Sequence, residues 1–253
     1  MTSEQYDSAI IQSFEQFPGI RDYFTAVTSG FAKLLAPAYD SFARAFPDLR
    51  AIGPIYIVHS VGEFDGGTRK VSGQSRLLFG ADVMAQVHHF ANETPFFQHE
   101  LFHVYHAQFF SDCEEMWCAL WSEGLAVLVA QRLNPRATDA ELLLTSPRPI
   151  RPEVDRNRVA AVCAVATRLS STDSADYASL FSNGSPISGL PPRFGYYVGY
   201  LVATEAARYR SLTELAHLNN ENARDLVTAT LEHLEHCCGS QPAERGSAAR
   251  SRP

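Results

Sequence analysis

Apolar residues recur at helical spacing through the first quarter of the chain: Ile10, Ile11, Phe14 and Phe17, then Tyr23, Phe24, Val27, Phe31, Leu34, Leu35, Tyr39 and Phe42. Pro18-Gly19 separates the two sets and Phe46-Pro47 closes the second, so the pattern predicts two helices within residues 1–48. The period then changes. Pro54 to His59 is rich in β-branched and aromatic residues, Gly62 to Gly73 is polar and glycine-rich, and Ser75 to Gly80 is again apolar, which predicts strands on either side of a loop. From Thr94-Pro95 the pattern is helical again, with Thr94 as N-cap and Pro95 where a missing N–H costs nothing. A break near Ser111-Asp112 precedes a second helix from about Glu114 to Leu133, closed by Asn134-Pro135. Beyond a proline-rich connector, further helices are expected over 153–170, 194–210 and 212–236. The last stretch, 239–253, is small and polar without an apolar face, and disorder is expected there. The sum is an α+β chain: N-terminal helices over 1–48, a unit over 49–238 with a small mixed sheet and a mainly helical C-terminal half, and a tail.

The chemistry-bearing signal lies on the first of the later helices. Residues 99–103 read His-Glu-Leu-Phe-His, and two histidines four apart project from one helix face about 5–6 Å apart, close enough to share an ion. Zinc suits such a set: it accepts imidazole nitrogen, and a catalytic site takes three protein ligands and leaves a position for water. Glu100, beside the first histidine, points past the ion toward that water as a general base. A pentapeptide of this kind also arises by chance, so a third ligand has to be found. Glu123, in Trp121-Ser122-Glu123-Gly124-Leu125-Ala126 on the next helix, returns to the same point if the chain reverses near 111. Glu114 and Glu115 rank below it, because carboxylates gather at helix starts for dipole reasons alone. The extended motif with a third histidine is absent, since its glycine and final histidine positions hold His106 and Phe109. His106 is either a neighbour of the ligands or substrate, or an ordinary polar helix residue.

Composition narrows the partners. The chain carries a formal charge of -7 with only two lysines among 253 residues, which argues against a phosphate-tracking surface and so against nucleic acid. No run approaches the roughly 20 apolar residues of a membrane span, and the N-terminus lacks the basic and apolar regions of an export signal, so a cytoplasmic location is expected. Five cysteines, an odd number without a Cys-x-x-Cys pair, fit a reducing compartment better than a disulfide scaffold.

Gln98 to His103, Glu123 to Ala126 and Gly195-Tyr196-Tyr197-Val198-Gly199-Tyr200 together resemble the gluzincin zinc peptidases, and more closely an uncharacterised family of predicted zinc-dependent proteases. The resemblance implies a peptidase fold in which an edge strand, Ser75 to Gly80, packs on the metal helix and pairs with an extended peptide or protein substrate. It implies Zn2+ on His99, His103 and Glu123, Glu100 as base, and Tyr196, followed three residues later by Gly199, as a phenol assisting the oxyanion. Tyr197 and Tyr200 stand behind Tyr196, and Gly195 and Gly199 also suit a close helix crossing. A metallopeptidase fold without turnover, or a zinc hydrolase of non-peptide amides or esters, would carry the same residues.

Overall fold

The computed structural model describes residues 2–88, 92–111, 113–183 and 187–235; the tail expected over 239–253 lies outside them. Its α+β class is as expected, with ten helices among the described residues and a three-stranded mixed sheet. The first quarter differs from expectation. A single helix, α1 (Ser3–Ala45), opens on a capping box between Thr2 and Gln5 and runs through both Pro18 and Pro37. A helical proline costs about 3 kcal/mol, and here contacts on both sides of Pro18 offset it. Phe17 and Phe24 meet edge to face at 5.4 Å, and both lie against His59. Farther along, Val27, Phe31, Leu35, Ala38 and Phe42 bury one stripe of the same helix.

The sheet contains β1 (Tyr56–Val58), β2 (Gly66–Val71) and β3 (Gln74–Gly80), in the order β1-β3-β2. β2 occupies the middle half of the stretch expected to be a loop. Its Thr68-Arg69-Lys70 face water, so no apolar alternation betrays it; the strand exists because Ser72 and Gly73, both at positive φ, close a tight hairpin pairing Val71 with Gln74. The consequence is a correction. Ser75 to Gly80, the expected edge strand, is central, antiparallel to β2 and parallel to β1; the edge beside the site is β2.

Two helices follow the sheet, α2 (Ala81–Val87) and α3 (Thr94–His106), and after the reversal comes α4 (Met116–Leu133). α4 is apolar on nearly every side and forms the centre of the molecule, with Trp121, Leu125, Leu128 and Val129 fully buried; burying each such side chain is worth about 1.5–3 kcal/mol. The remaining helices are α5 (Arg151–Arg156), α6 (Arg158–Ala166), α7 (Ser174–Phe181), α8 (Phe194–Ala206), α9 (Leu212–Ala216) and α10 (Asn220–Glu235). The helices expected over 153–170 and 212–236 are thus each divided, at Asn157 and between Ala216 and Asn220. No helix among the described residues is long and apolar enough to cross a membrane.

Two features place the site. α4 and α8 cross at a pair of glycines, where a side chain on Gly124 would overlap the Gly199 backbone and one on Gly199 would overlap the Leu120 carbonyl. The close crossing brings Tyr196, one turn before Gly199, beside the turn of α4 that carries Glu123. At the foot of α4, Cys113 and Cys118 form a disulfide. The sequence reading expects reduced thiols; five residues of separation bring the two Cα atoms to 6.0 Å, within bridging range, once the chain turns into the helix.

Candidate metal centre

α3 is packed so deeply that all residues from Pro95 to Phe102 are buried, His99 among them, while His103 one turn on is partly exposed. His99 and His103, one turn apart, direct Nε2 atoms to within 3.0 Å of each other. α4 returns antiparallel after the reversal, and Ser122 and Glu123, its polar pair in the middle of an apolar helix, turn toward them. Glu123 Oε2 lies 3.2 Å from His99 Nε2 and 3.3 Å from His103 Nε2. The three atoms form a near-equilateral triangle, the one group among the described residues whose side chains can hold a metal ion. Tetrahedral bonds of 2.0–2.1 Å separate neighbouring ligand atoms by about 3.3 Å, so the triangle fits a zinc-sized ion without rearrangement. Ser122 Oγ lies 3.3 Å from His103 Nδ1; an N–H there donating to the hydroxyl leaves the Nε2 lone pair for the ion.

Electrostatics set the two glutamates apart. Burial pushes the Glu123 carboxyl up, but the charges and hydrogen bonds of His103 and His99 outweigh it and hold the group well below the usual range. Burial raises Glu100 and prevails; the two histidines oppose it, while Asp65 and Glu123 add to it. Glu100 is held by the edge strand itself, since a Cβ on Gly66 would stand 2.7 Å from its Cγ. Only glycine leaves room for that carboxyl between β2 and α3.

The site opens into a cleft of about 840 Å³ lined by β2, α3, Ser122, Glu123, Tyr177, Arg193 and Tyr196 among others. Tyr196 is raised well above the ordinary phenol value, by burial first and the Glu123 charge second. Tyr197 and Tyr200 belong elsewhere: Tyr197 donates to Asp155 at 3.0 Å, and Arg151 covers both rings. Glu115 accepts from Trp117 Nε1 at 2.8 Å and from Arg224, and Glu114 is exposed, so neither joins the triangle. His106 is buried between Phe102 and Phe110, stacked on the latter at 4.6 Å, its Nε2 without a partner among the described residues. Burial above all, with the His103 charge, pushes it down to about 3, so it is a neutral ring in an aromatic stack.

Sequence reasoning missed a second polar group. Asp65, at the entry to β2, touches His88 Nε2 at 3.2 Å; His88 Nδ1 touches Glu93 at 3.0 Å; Tyr23 of α1 donates to Glu93 at 2.6 Å. The chain of contacts ties the lip of the edge strand to the residue that precedes α3. No spacing announces it, because its members come from four separate elements. Tyr177 and Arg193 were equally invisible. No protein-family model, curated protein or solved structure matches this chain.

Proposed function

We propose that the protein is a zinc-dependent peptidase, with His99, His103 and Glu123 holding the ion and Glu100 as general base. The observation that carries this reading is the triangle of two imidazole nitrogens and one carboxylate oxygen at 3.0–3.3 Å, with a buried carboxyl adjoining it. Zinc, when bound there, supplies a Lewis acid that polarises an oxygen ligand and lowers the pKa of a coordinated water. The remaining chemistry belongs to the chain. Glu100, wedged against Gly66, accepts a proton from the attacking water and returns it to the leaving nitrogen, a return favoured by the burial that raises its pKa. Tyr196 stays protonated beside Glu123 and donates to the oxygen on which charge develops.

A peptide is favoured over a small ester because β2 is the terminal strand of its sheet and lines the cleft. An extended chain added to this edge takes over the Gly66 N–H from Asp65 Oδ1 and the Thr68 carbonyl from Arg69, and gains affinity through the main chain and register past Glu100. The test is metal analysis of reconstituted protein together with cleavage of a broad peptide library. We expect about one zinc per chain and cleavage that vanishes on chelation. Reconstituted protein that holds no zinc, or holds it and cleaves no peptide, overturns the reading.

A further inference from the structure

Resting on that reading and narrowing it, we propose that Arg193 selects the substrate by clasping a carboxylate of the peptide in the cleft. The backbone first draws attention to it. Arg193 precedes α8 at φ 62° and ψ 17°, a left-handed conformation that glycine adopts freely and a residue with a Cβ adopts at a steric cost. Strain of that kind persists where a side chain is needed at that place.

The side chain is arranged for an anion that the protein does not supply. Its Cζ lies 4.7 Å from the centre of the Tyr196 ring, so the guanidinium is held by its face and its in-plane donors remain available. Of five such donors, one reaches the Ser146 carbonyl at 3.3 Å. Arg148, Arg151, Arg168, Arg208 and Arg224 each pair with an Asp or Glu. Among the described residues Arg193, like Arg69 and Arg76 of the same cleft, has no carboxylate within ion-pair distance; what sets it apart is its seat on the face of Tyr196, beside Glu123. It lines the same cleft as the triangle, and Asp65, Tyr196 and Tyr177 all feel its charge. A planar fork fixed by stacking matches a carboxylate through two parallel hydrogen bonds. Both a free α-carboxylate and an Asp or Glu side chain present that chemistry. Arg69 also lines the cleft, but it stacks on Phe64 at 4.4 Å and opposes Arg76 across the hairpin; it serves as the control.

The test is calorimetric binding to the Glu100→Gln protein, which does not consume its ligand, using acetylated peptides in matched pairs. One pair compares a free C-terminus with its amide, the other an internal Glu with Gln. We expect at least one carboxylate member to bind about 10-fold tighter than its neutral partner. A preference confined to the first pair identifies the α-carboxylate, and one confined to the second identifies an acidic side chain. Adding Arg193→Gln should bring the ratio close to one, Arg193→Lys should keep part of it, and Arg69→Gln should leave it unchanged. Arg193→Gly separates recognition from folding: relieved of its backbone strain it should melt within about 2 °C of the parent and still lose the ratio. Equal binding within both pairs, failure of every peptide to bind, or a ratio that survives Arg193→Gln and Arg193→Gly overturns the proposal. Peptide cleavage by the wild type without carboxylate preference removes the role of Arg193 and leaves the peptidase reading; a carboxylate ratio in binding without cleavage does the reverse.

Discussion

His88, joined to the cleft through Asp65, and the His99/His103 pair that lines it are buried or partly buried imidazoles, and the fold treats them in opposite ways. Both ring nitrogens of His88 meet carboxylates, Asp65 on one side and Glu93 on the other, so the ring is satisfied within the protein. The facing nitrogens of His99 and His103 meet each other and share one Glu123 oxygen. Two imidazole nitrogens and a carboxylate oxygen converging on one point form a donor set of the kind a cation takes, whereas two carboxylates around an imidazole favour its protonated form. The difference separates a histidine enclosed by carboxylates from a pair arranged as a donor set, and sequence spacing alone does not make it.

Substitutions sharpen the contrast. The largest effect is expected from His103→Ala, which should abolish zinc retention and with it hydrolysis, while His88→Gln retains the metal; elemental analysis of both reports the outcome. Next, Glu100→Gln should keep the zinc and lower turnover by about 10²–10⁴-fold, and full turnover in that variant would assign the base elsewhere.

His88→Gln should instead cost stability, about 3 kcal/mol in urea unfolding, because it leaves Asp65 and Glu93 without the cation between them. Its pH dependence follows from the direction of each shift. Burial opposes protonation of His88, but Asp65 and Glu93 prevail and raise it above the ordinary 6.5, so its contribution is complete below that pH and is lost as pH rises through the raised value. Burial likewise opposes ionisation of Asp65, yet His88 holds it below 3.8, so its contribution is complete above that pH and is lost as pH falls through the lowered value. The stability gap between wild type and His88→Gln should therefore narrow above pH 6.5; a gap that is constant into alkaline pH would show that the ring acts through packing alone.

Smaller effects concern single donors. Tyr196→Phe should leave zinc and fold intact and reduce turnover about 10²-fold, and unchanged turnover would return the ring to a packing role against Phe181. Ser122→Ala should weaken zinc affinity about 10-fold, since the hydroxyl orients the His103 ring from its far side; a competition titration with a calibrated chelator measures it.

Particular elements show where sequence reasoning reached and where it stopped. The spacing of His99 and His103 on a helix is a local property, legible because four residues make about one turn whatever surrounds them. Glu123 was legible as a polar residue in an apolar helix following a reversal. Strand β2 was not, because an edge strand exposed to water needs no apolar alternation and owes its existence to the partner it pairs with. The continuity of α1 through Pro18 was hidden for a related reason: the local rule counts the lost hydrogen bond, and the aromatic contacts that offset it come from Phe24 and His59.

By itself the sequence determined the α+β class, the helix that carries His99, Glu100 and His103, and the chemical character of the candidate ligands, all consequences of short-range periodicity and side-chain type. The tertiary structure decided the distances at which Glu123 closes the triangle, that β2 and not β3 forms the edge against Glu100, and that Asp65, backed by His88 and Glu93, and Arg193 meet in the same cleft. Those residues are brought together by the α3–α4 reversal, the Gly124–Gly199 crossing and strand pairing. Contacts between elements distant in the chain depend on packing complementarity summed over many residues, and no local spacing encodes them.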